Sequence, residues 1–269
     1  MYETTYHRPT SIDEAVKLVG ESGGEGKFLS GGMTLIATMK QRLAAPSDLV
    51  DLRHIAELKG ITVNGKSIRI GGGMTHGEIA AHEGLKAACH GFADLAGLIG
   101  DIAVRHMGTI GGSVANNDPA ADYPAALKAL GGTIHTNKRE IAADDFFLGL
   151  FETALEENEI VTAVSFEAPD QCAYEKFRNP ASRYAMCGVF VAKRGGEVKV
   201  GITGASMGGA FRWEAAEQAL SSNFDGSAVD GLSVDEGDMV SDLHGTSAYR
   251  ANLVKVVTKR AVNKAKSAG

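Results

Sequence analysis

Two glycine pairs flanked by hydroxyl side chains constrain this sequence more than any other feature. The first, in residues 30–34, follows a short apolar run at 27–29 and precedes apolar residues at helical spacing over 35–43. That order predicts a strand, a tight turn and a helix. The second pair, in residues 109–113, lies in a stretch rich in Gly, Asn, Asp and Pro, which predicts a long structured loop over 108–124. Glycine supplies 34 of the 269 residues, nearly twice its usual share of ~7%.

The two turns together suggest a site that binds one anion from two sides. Backbone amides at a helix start, with the positive end of the helix dipole, attract negative charge. Two such turns with adjacent hydroxyl groups suit a pyrophosphate that is held from both sides. Asp122, which follows the second pair, is expected to accept a hydrogen bond from a ribose or ribityl hydroxyl. Ordinary turn and cap roles remain open for Asp118 and Asp122, and an ordinary tight turn remains open for residues 30–34.

Strand and helix patterns divide the chain into three predicted units. Residues 1–57 alternate helix and strand, residues 58–169 open with a β-hairpin over 61–70, and residues 170–269 begin with several strands. Helices are predicted near 11–21, 91–100, 214–221 and 247–266.

Residues 60–67 match the G-x-x-x-x-G-K-[ST] pattern of a phosphate-binding P-loop. A P-loop needs a strand before the first glycine and a helix after the lysine. Here β-branched residues lie between the glycines, and Asn64-Gly65 is a typical two-residue hairpin turn. We therefore predict a hairpin and no nucleotide kinase or ATPase.

Composition and charge exclude several classes of protein. The chain carries 27 Lys and Arg against 33 Asp and Glu, a net charge of -6, which argues against nucleic-acid binding. Its three cysteines form no C-x-x-C pair and its histidines show no metal-ligand spacing, so no metal site is expected. With no signal peptide or long apolar run, the protein is expected to be cytoplasmic and not membrane-spanning.

In its glycine turns and several further motifs, the sequence resembles the FAD-binding medium subunits of the molybdenum hydroxylases. This family includes carbon monoxide dehydrogenase flavoprotein and the flavin domain of xanthine dehydrogenase. The resemblance extends from Tyr6 to the carboxyl end. The motifs that carry it, in order, are residues 28–34, 99–113, 118–122, 159–161, 174–177, 182–185 and 242–245. The resemblance implies an α+β fold of the vanillyl-alcohol-oxidase-like (PCMH-type) class, with two α/β FAD-binding lobes, 1–57 and 58–169, and a C-terminal α+β domain, 170–269.

The same resemblance implies which residues bind the cofactor. Those around the pyrophosphate are Lys27, Phe28, Leu29, Ser30, Gly31, Gly32, Met33, Thr34, Thr109, Ile110, Gly111, Gly112 and Ser113. The sugar side and the isoalloxazine ring are assigned to Asp118, Asp122, Ile99, Ile160, Val161, Lys176 and Tyr184. A side chain at Gly111 is expected to occupy the pyrophosphate position, so that Gly111→Val would remove the flavin and leave the fold largely intact.

The expected function is electron transfer within an oxidoreductase. The resemblance implies FAD in this chain, molybdopterin in a large partner subunit and two [2Fe–2S] clusters in a small one, in a dimer of heterotrimers. Electrons would pass from the clusters to the flavin and then to NAD, a quinone or oxygen. Two alternatives remain open, a stand-alone flavin reductase similar to the enolpyruvyl-UDP-sugar reductase and a flavin-free scaffold subunit.

Overall fold

The computed structural model describes residues 2–268, which form three main sheets in chain order. The first is parallel, in the order β1-β3-β2. Its strands and flanking helices are β1 (Thr5–His7), α1 (Ile12–Glu21), β2 (Lys27–Leu29), α2 (Leu35–Lys40) and β3 (Asp48–Asp51). Ser11 caps α1 by accepting from the Glu14 amide, as its capping-box sequence predicts. Val50 and Ala15 are buried where this helix meets the sheet.

The second sheet is antiparallel and carries most of the helices. Its order is β4-β5-β10-β6-β7, built from β4 (Ile61–Asn64), β5 (Ser67–Gly71), β6 (Thr133–Thr136), β7 (Glu140–Ala142) and β10 (Val161–Glu167). Between these strands lie α3 (His76–Ala81), α4 (Glu83–Gly97), α5 (Ile102–Met107), α6 (Ile110–Asn116), α7 (Tyr123–Leu130), α8 (Ala143–Phe146) and the small hairpin β8 (Phe147–Gly149) with β9 (Glu152–Thr153). The predicted hairpin is confirmed, because Asn64 pairs with Ser67 and Gly65 adopts a φ of 59° in the turn.

The prediction of one long structured loop over 108–124 is wrong, because this stretch contains a helix. Residues 110–116 form α6, although glycine is a poor helix former. Thr109 caps this helix by accepting from the Gly112 amide, and Asn117, in the left-handed conformation, ends it. Ile110 and Val114 are fully buried in the core, so tertiary packing outweighs the low helix propensity of the glycine pair.

The third sheet is antiparallel and packs on both faces. Its order is β11-β12-β13-β14, built from β11 (Gln171–Arg178), β12 (Ala185–Arg194), β13 (Glu197–Thr203) and β14 (Phe211–Arg212). The helices α9 (Glu214–Ser222) and α10 (Ser247–Ala268) follow. Alternate residues of a strand face opposite sides of the sheet. On one side, Tyr174 and Phe190 join the core of the second sheet. On the other, Val189 and Val191 pack with residues of α10 such as Val257. Within residues 2–268, no helix combines the length and apolar character that a bilayer crossing requires.

Candidate functional site

A single large cavity brings the two glycine turns together. It has a volume of about 900 Å³, near the upper end of the usual range for cofactor sites. Its walls come from all three sheets: the turn after β2, the segment before α6, residues 155–161 before β10, and the end of β11 with the loop that follows it.

The turn after β2 presents unused amides to this cavity. None of the N–H groups of residues 31–34 donates a hydrogen bond to another group in residues 2–268, and no side chain caps α2. Gly32 adopts a φ of 71°, which favours glycine. Gly31 lies so close to the carboxyl end of α5 that a Cβ on it would be 2.2 Å from the Met107 carbonyl oxygen. These free donors can hold a phosphate group.

The second glycine turn differs from the sequence-based prediction. The Gly111 amide donates to the Gly72 carbonyl at 2.8 Å, and the Ile110 amide donates to the Met74 carbonyl at 3.0 Å. The Gly112 amide is used by the Thr109 cap. The expected cradle of amides at 110–112 is therefore wrong, because the start of α6 is attached to the end of β5. This wall offers hydroxyl groups instead, and the Ser30 and Thr109 hydroxyl oxygens lie 2.6 Å apart, which joins the two turns directly.

The structure changes the expected outcome of Gly111→Val. A Cβ at this position would lie 2.6 Å from the Gly72 carbonyl oxygen, so the valine would collide with backbone of the second sheet rather than with a ligand. We expect the free energy of unfolding to fall by about 1–3 kcal/mol, the usual cost of overpacking. Urea denaturation of the apoprotein measures this, with Gly231→Val as the control, since Gly231 has no atom within 4 Å of its Cβ position. A Gly111→Val protein as stable as that control would contradict the close packing of residue 111 against the Gly72 carbonyl.

A buried ion pair forms part of the cavity wall. The Lys176 ammonium lies 2.9 Å from Asp122 Oδ2, and the Tyr174 hydroxyl donates to Asp122 Oδ1. Burial raises the pKa of the Asp122 carboxyl, against the opposing effects of the Lys176 charge and the Tyr174 hydrogen bond. Both carboxylate oxygens thus have donors within the protein. This carboxylate therefore holds Lys176 in place, and the contact of Asp122 with a sugar hydroxyl stays a prediction, since Asp122 lines the cavity and each carboxylate oxygen can accept a second hydrogen bond.

The loop between β11 and β12 carries Tyr184 to the cavity. Asn179 organises this loop, since its side-chain oxygen accepts from the Ala181 and Ser182 amides. Arg183 adopts a left-handed φ of 64°. Tyr184 is half exposed, and burial of its ring, followed by the charges of Asp118 and Asp122, raises its pKa. An aromatic ring at the edge of the cavity is thus available to cover a flat ligand.

His76 is a lining residue that sequence reasoning missed. Its Nδ1 lies 3.0 Å from the Tyr123 hydroxyl oxygen. Burial, with a smaller effect of the Arg105 charge, lowers the pKa of His76 to about 4, so the ring is neutral at neutral pH. Thr75, just before His76, and Glu78, two residues after it, form a capping box. This motif predicts the helix but gives no sign that the first helical residue faces a cavity.

Most of the predicted cofactor-binding residues line this one cavity. They are Lys27, Phe28, Ser30, Gly31, Gly32, Met33, Thr34, Ile99, Thr109, Gly111, Gly112, Ser113, Asp118, Asp122, Ile160, Val161, Lys176 and Tyr184. Leu29 and Ile110 do not line it, since their side chains are buried in the hydrophobic core.

Comparison with known proteins gives the family. The family described as the FAD binding domain in molybdopterin dehydrogenase matches residues 2–168. The chain belongs to this family. It is 34% identical to the carbon monoxide dehydrogenase medium chain of Afipia carboxidovorans, over 97% of this chain and 96% of that one. It is 30% identical to the glyceraldehyde dehydrogenase medium chain of Sulfolobus acidocaldarius, over 96% and 97% of the two chains.

Solved structures give the same result for the fold. A chain of reconstituted CO dehydrogenase from Oligotropha carboxidovorans matches with a TM-score of 0.89 at 34% identity, over 98% of each chain. A chain of carbon monoxide dehydrogenase from Hydrogenophaga pseudoflava matches with a TM-score of 0.86 at 32% identity, again over 98% of each. The predicted α+β FAD-binding fold and the predicted family are confirmed, and the chain is an FAD-binding medium subunit of the molybdenum hydroxylase type.

The residues of the cavity fit FAD. The free amides of residues 31–34 are donors for a diphosphate, the apolar side chains of Ile99 and Val161 can contact a flat ring, and the Lys176 ammonium supplies positive charge. The volume of about 900 Å³ accommodates a cofactor of dinucleotide size.

Proposed function

We propose that this chain passes electrons from [2Fe–2S] clusters of a small partner subunit to an external acceptor, within a complex whose large subunit holds molybdopterin. FAD, when bound, supplies the chemistry, since it exchanges electrons with both one- and two-electron partners. The observation that carries the proposal is one cavity lined both by free amides and by a buried cation, in a chain that matches medium chains along nearly its whole length.

The proposal gives each part of the cavity a task. The amides of residues 31–34 and the hydroxyls of Ser30 and Thr109 bind the diphosphate, and Ile99, Ile160 and Val161 pack around the ring and exclude water. Lys176 provides a positive charge at a fixed position, which favours a flavin that has gained electrons and negative charge. Asp122 orients that ammonium and offsets part of its charge. The neutral His76 ring adds a polar contact without adding charge.

We also propose the domain bounds of this chain, the assembly that it joins and the compartment in which it acts. The units are 1–57 and 58–169, which enclose the flavin, and 170–269, which contributes Lys176 and Tyr184. Support comes from the three sheets, because each unit contains one of them. The assembly is a dimer of heterotrimers in the cytoplasm, and NAD, a quinone or oxygen reoxidises the flavin.

The test begins with a tagged chain purified from its own host. We expect FAD, iron and molybdenum to copurify with two further subunits, and light scattering to give the mass of a dimer of heterotrimers. When limiting dithionite reduces the iron–sulfur clusters anaerobically, the flavin absorbance should then bleach. A colourless chain would favour the scaffold alternative. A flavoprotein that purifies alone and reduces an enolpyruvyl sugar would favour the reductase alternative.

A further inference from the structure

Two buried cysteines meet where the flavin-binding part of the chain packs on the third sheet. Cys89 lies in α4 and Cys172 in β11, 83 residues apart, and their sulfur atoms are 3.6 Å from each other. Both are almost fully buried, at 1% and 2% exposure. Cys187, also buried, has no sulfur partner among residues 2–268.

The local backbone holds these two thiols together. Helix α4 is interrupted at Cys89, whose φ of -154° and ψ of 70° are not helical. Two residues later, Gly91 lets the helix approach β11, since a Cβ there would lie 3.0 Å from both the Ala173 Cα and the Cys172 sulfur. A regular helix with a larger residue at 91 would keep the thiols apart. The kink and the glycine together therefore account for the contact.

The two thiols share one hydrogen bond, in which either sulfur can donate. With Cys89 as the donor, this hydrogen bond lowers the pKa of Cys172, against the opposing effect of burial and with a smaller contribution from the Gly91 amide. The same hydrogen bond, and after it burial, raises the pKa of Cys89 well above its ordinary value. The thiolate is the reactive form of cysteine, and a sulfur 3.6 Å away is in place to resolve the first oxidation product of its partner.

We propose that Cys89 and Cys172 form an intramolecular disulfide when the protein meets hydrogen peroxide. One of the two sulfurs attacks one peroxide oxygen, the O–O bond breaks, and a sulfenic acid and one water form. The other sulfur then displaces the sulfenic oxygen, which leaves as a second water when the S–S bond forms. In total two thiols lose two protons and two electrons, and one peroxide becomes two waters. This step does not depend on the flavin assignment.

The new bond would connect two elements that frame the cavity. Ile99, just after α4, lines the cavity, and Lys176 on β11 donates to the carbonyl of Leu98 at 3.3 Å. A disulfide between Cys89 and Cys172 would fasten α4 to β11 on the same side of the cavity. The modification therefore lies on the same strand as Lys176, four residues before it.

The experiment uses the full chain, reduced and then treated with hydrogen peroxide. The protein is quenched, denatured and alkylated, and its intact mass and tryptic peptides are measured. We expect the chain to carry one alkyl group after peroxide and three without it, with a further loss of about two mass units for the two hydrogens removed. We also expect a linked peptide pair containing residues 89 and 172, and complete alkylation of Cys187. Dithiothreitol should reverse the change.

Three variants provide the controls. Cys187→Ala should still form the bond, whereas Cys89→Ala and Cys172→Ala should not. The melting temperature of the wild type should rise on oxidation and return on reduction, and that of Cys172→Ala should not rise. Equal alkylation of all three thiols after peroxide, or linked peptides that contain Cys187 as often as Cys89, would overturn the proposal.

Discussion

Gly31→Val is expected to weaken FAD binding strongly. A Cβ at this position would lie 2.2 Å from the Met107 carbonyl oxygen and 2.6 Å from the Gly108 Cα. Both obstacles are backbone atoms, so no side-chain rotation relieves the collision, and the turn must move away from the segment before α6. That movement displaces the free amides of residues 31–34 relative to the opposite wall. Overpacking of about 1–3 kcal/mol corresponds to binding that is weaker by roughly 5- to 150-fold.

The measurement compares FAD titration of the apoprotein with its urea denaturation. Gly231→Val is the matched control, because the same side chain is added at a glycine with open space around it. We expect normal FAD affinity in the control and a large loss in Gly31→Val. Undiminished affinity in Gly31→Val would show that the amides of this turn do not hold the diphosphate.

The fold was largely predictable because its local signals agree with its tertiary contacts. The Ser11 cap and the Asn64-Gly65 turn each specify one structure, and each forms as predicted, although Glu14 accepts from the Thr10 amide and not from that of Ser11. The glycine pair at 111 and 112 favours a loop because glycine has low helix propensity. Its buried neighbours nevertheless enforce a helix. Burial of this kind depends on partners that are distant in the sequence, so no local pattern shows it.

The candidate site was predictable in its position and not in its hydrogen bonds. The motifs identified the turn at 30–34 and the strand that carries Lys176, and the structure brings both to one cavity. Asp122 was assigned to a sugar hydroxyl because an acidic residue near a glycine turn commonly binds one. Its actual donors, on β11, lie more than 50 residues away in the sequence. His76 escaped notice for the same reason, since only the fold shows which side of α3 faces the cavity.

Lys176→Met is expected to have the largest effect on stability. The Lys176 side chain is 2% exposed and the Asp122 side chain 5%, so the substitution leaves a buried carboxylate whose remaining donor is the Tyr174 hydroxyl. Breaking a buried pair by removing one partner costs about 3–5 kcal/mol. We expect a loss of this size at neutral pH in urea denaturation of the apoprotein.

The sign of the pH dependence follows from Asp122. Burial already raises the pKa of this carboxyl in the folded wild type, and loss of the Lys176 charge raises it further. A carboxyl whose pKa is higher in the folded than in the unfolded chain takes up a proton preferentially on folding. The stability deficit of Lys176→Met should therefore be full above the folded pKa of Asp122. It should shrink as the pH falls toward about 4, the ordinary value of an aspartate.

Two further variants separate this charge effect from simple loss of packing. Asp122→Asn combined with Lys176→Met removes the unpaired charge and should recover much of the lost stability, with little remaining dependence on pH. Lys66→Met breaks the Lys66–Asp170 pair, whose side chains are 65% and 44% exposed, and should cost no more than about 1 kcal/mol. If Lys176→Met were as mild as Lys66→Met, or if its deficit grew on acidification, the cavity wall would not contain the charged pair described above. A matching cost in the single and double variants would instead assign the loss to packing of the lysine stem.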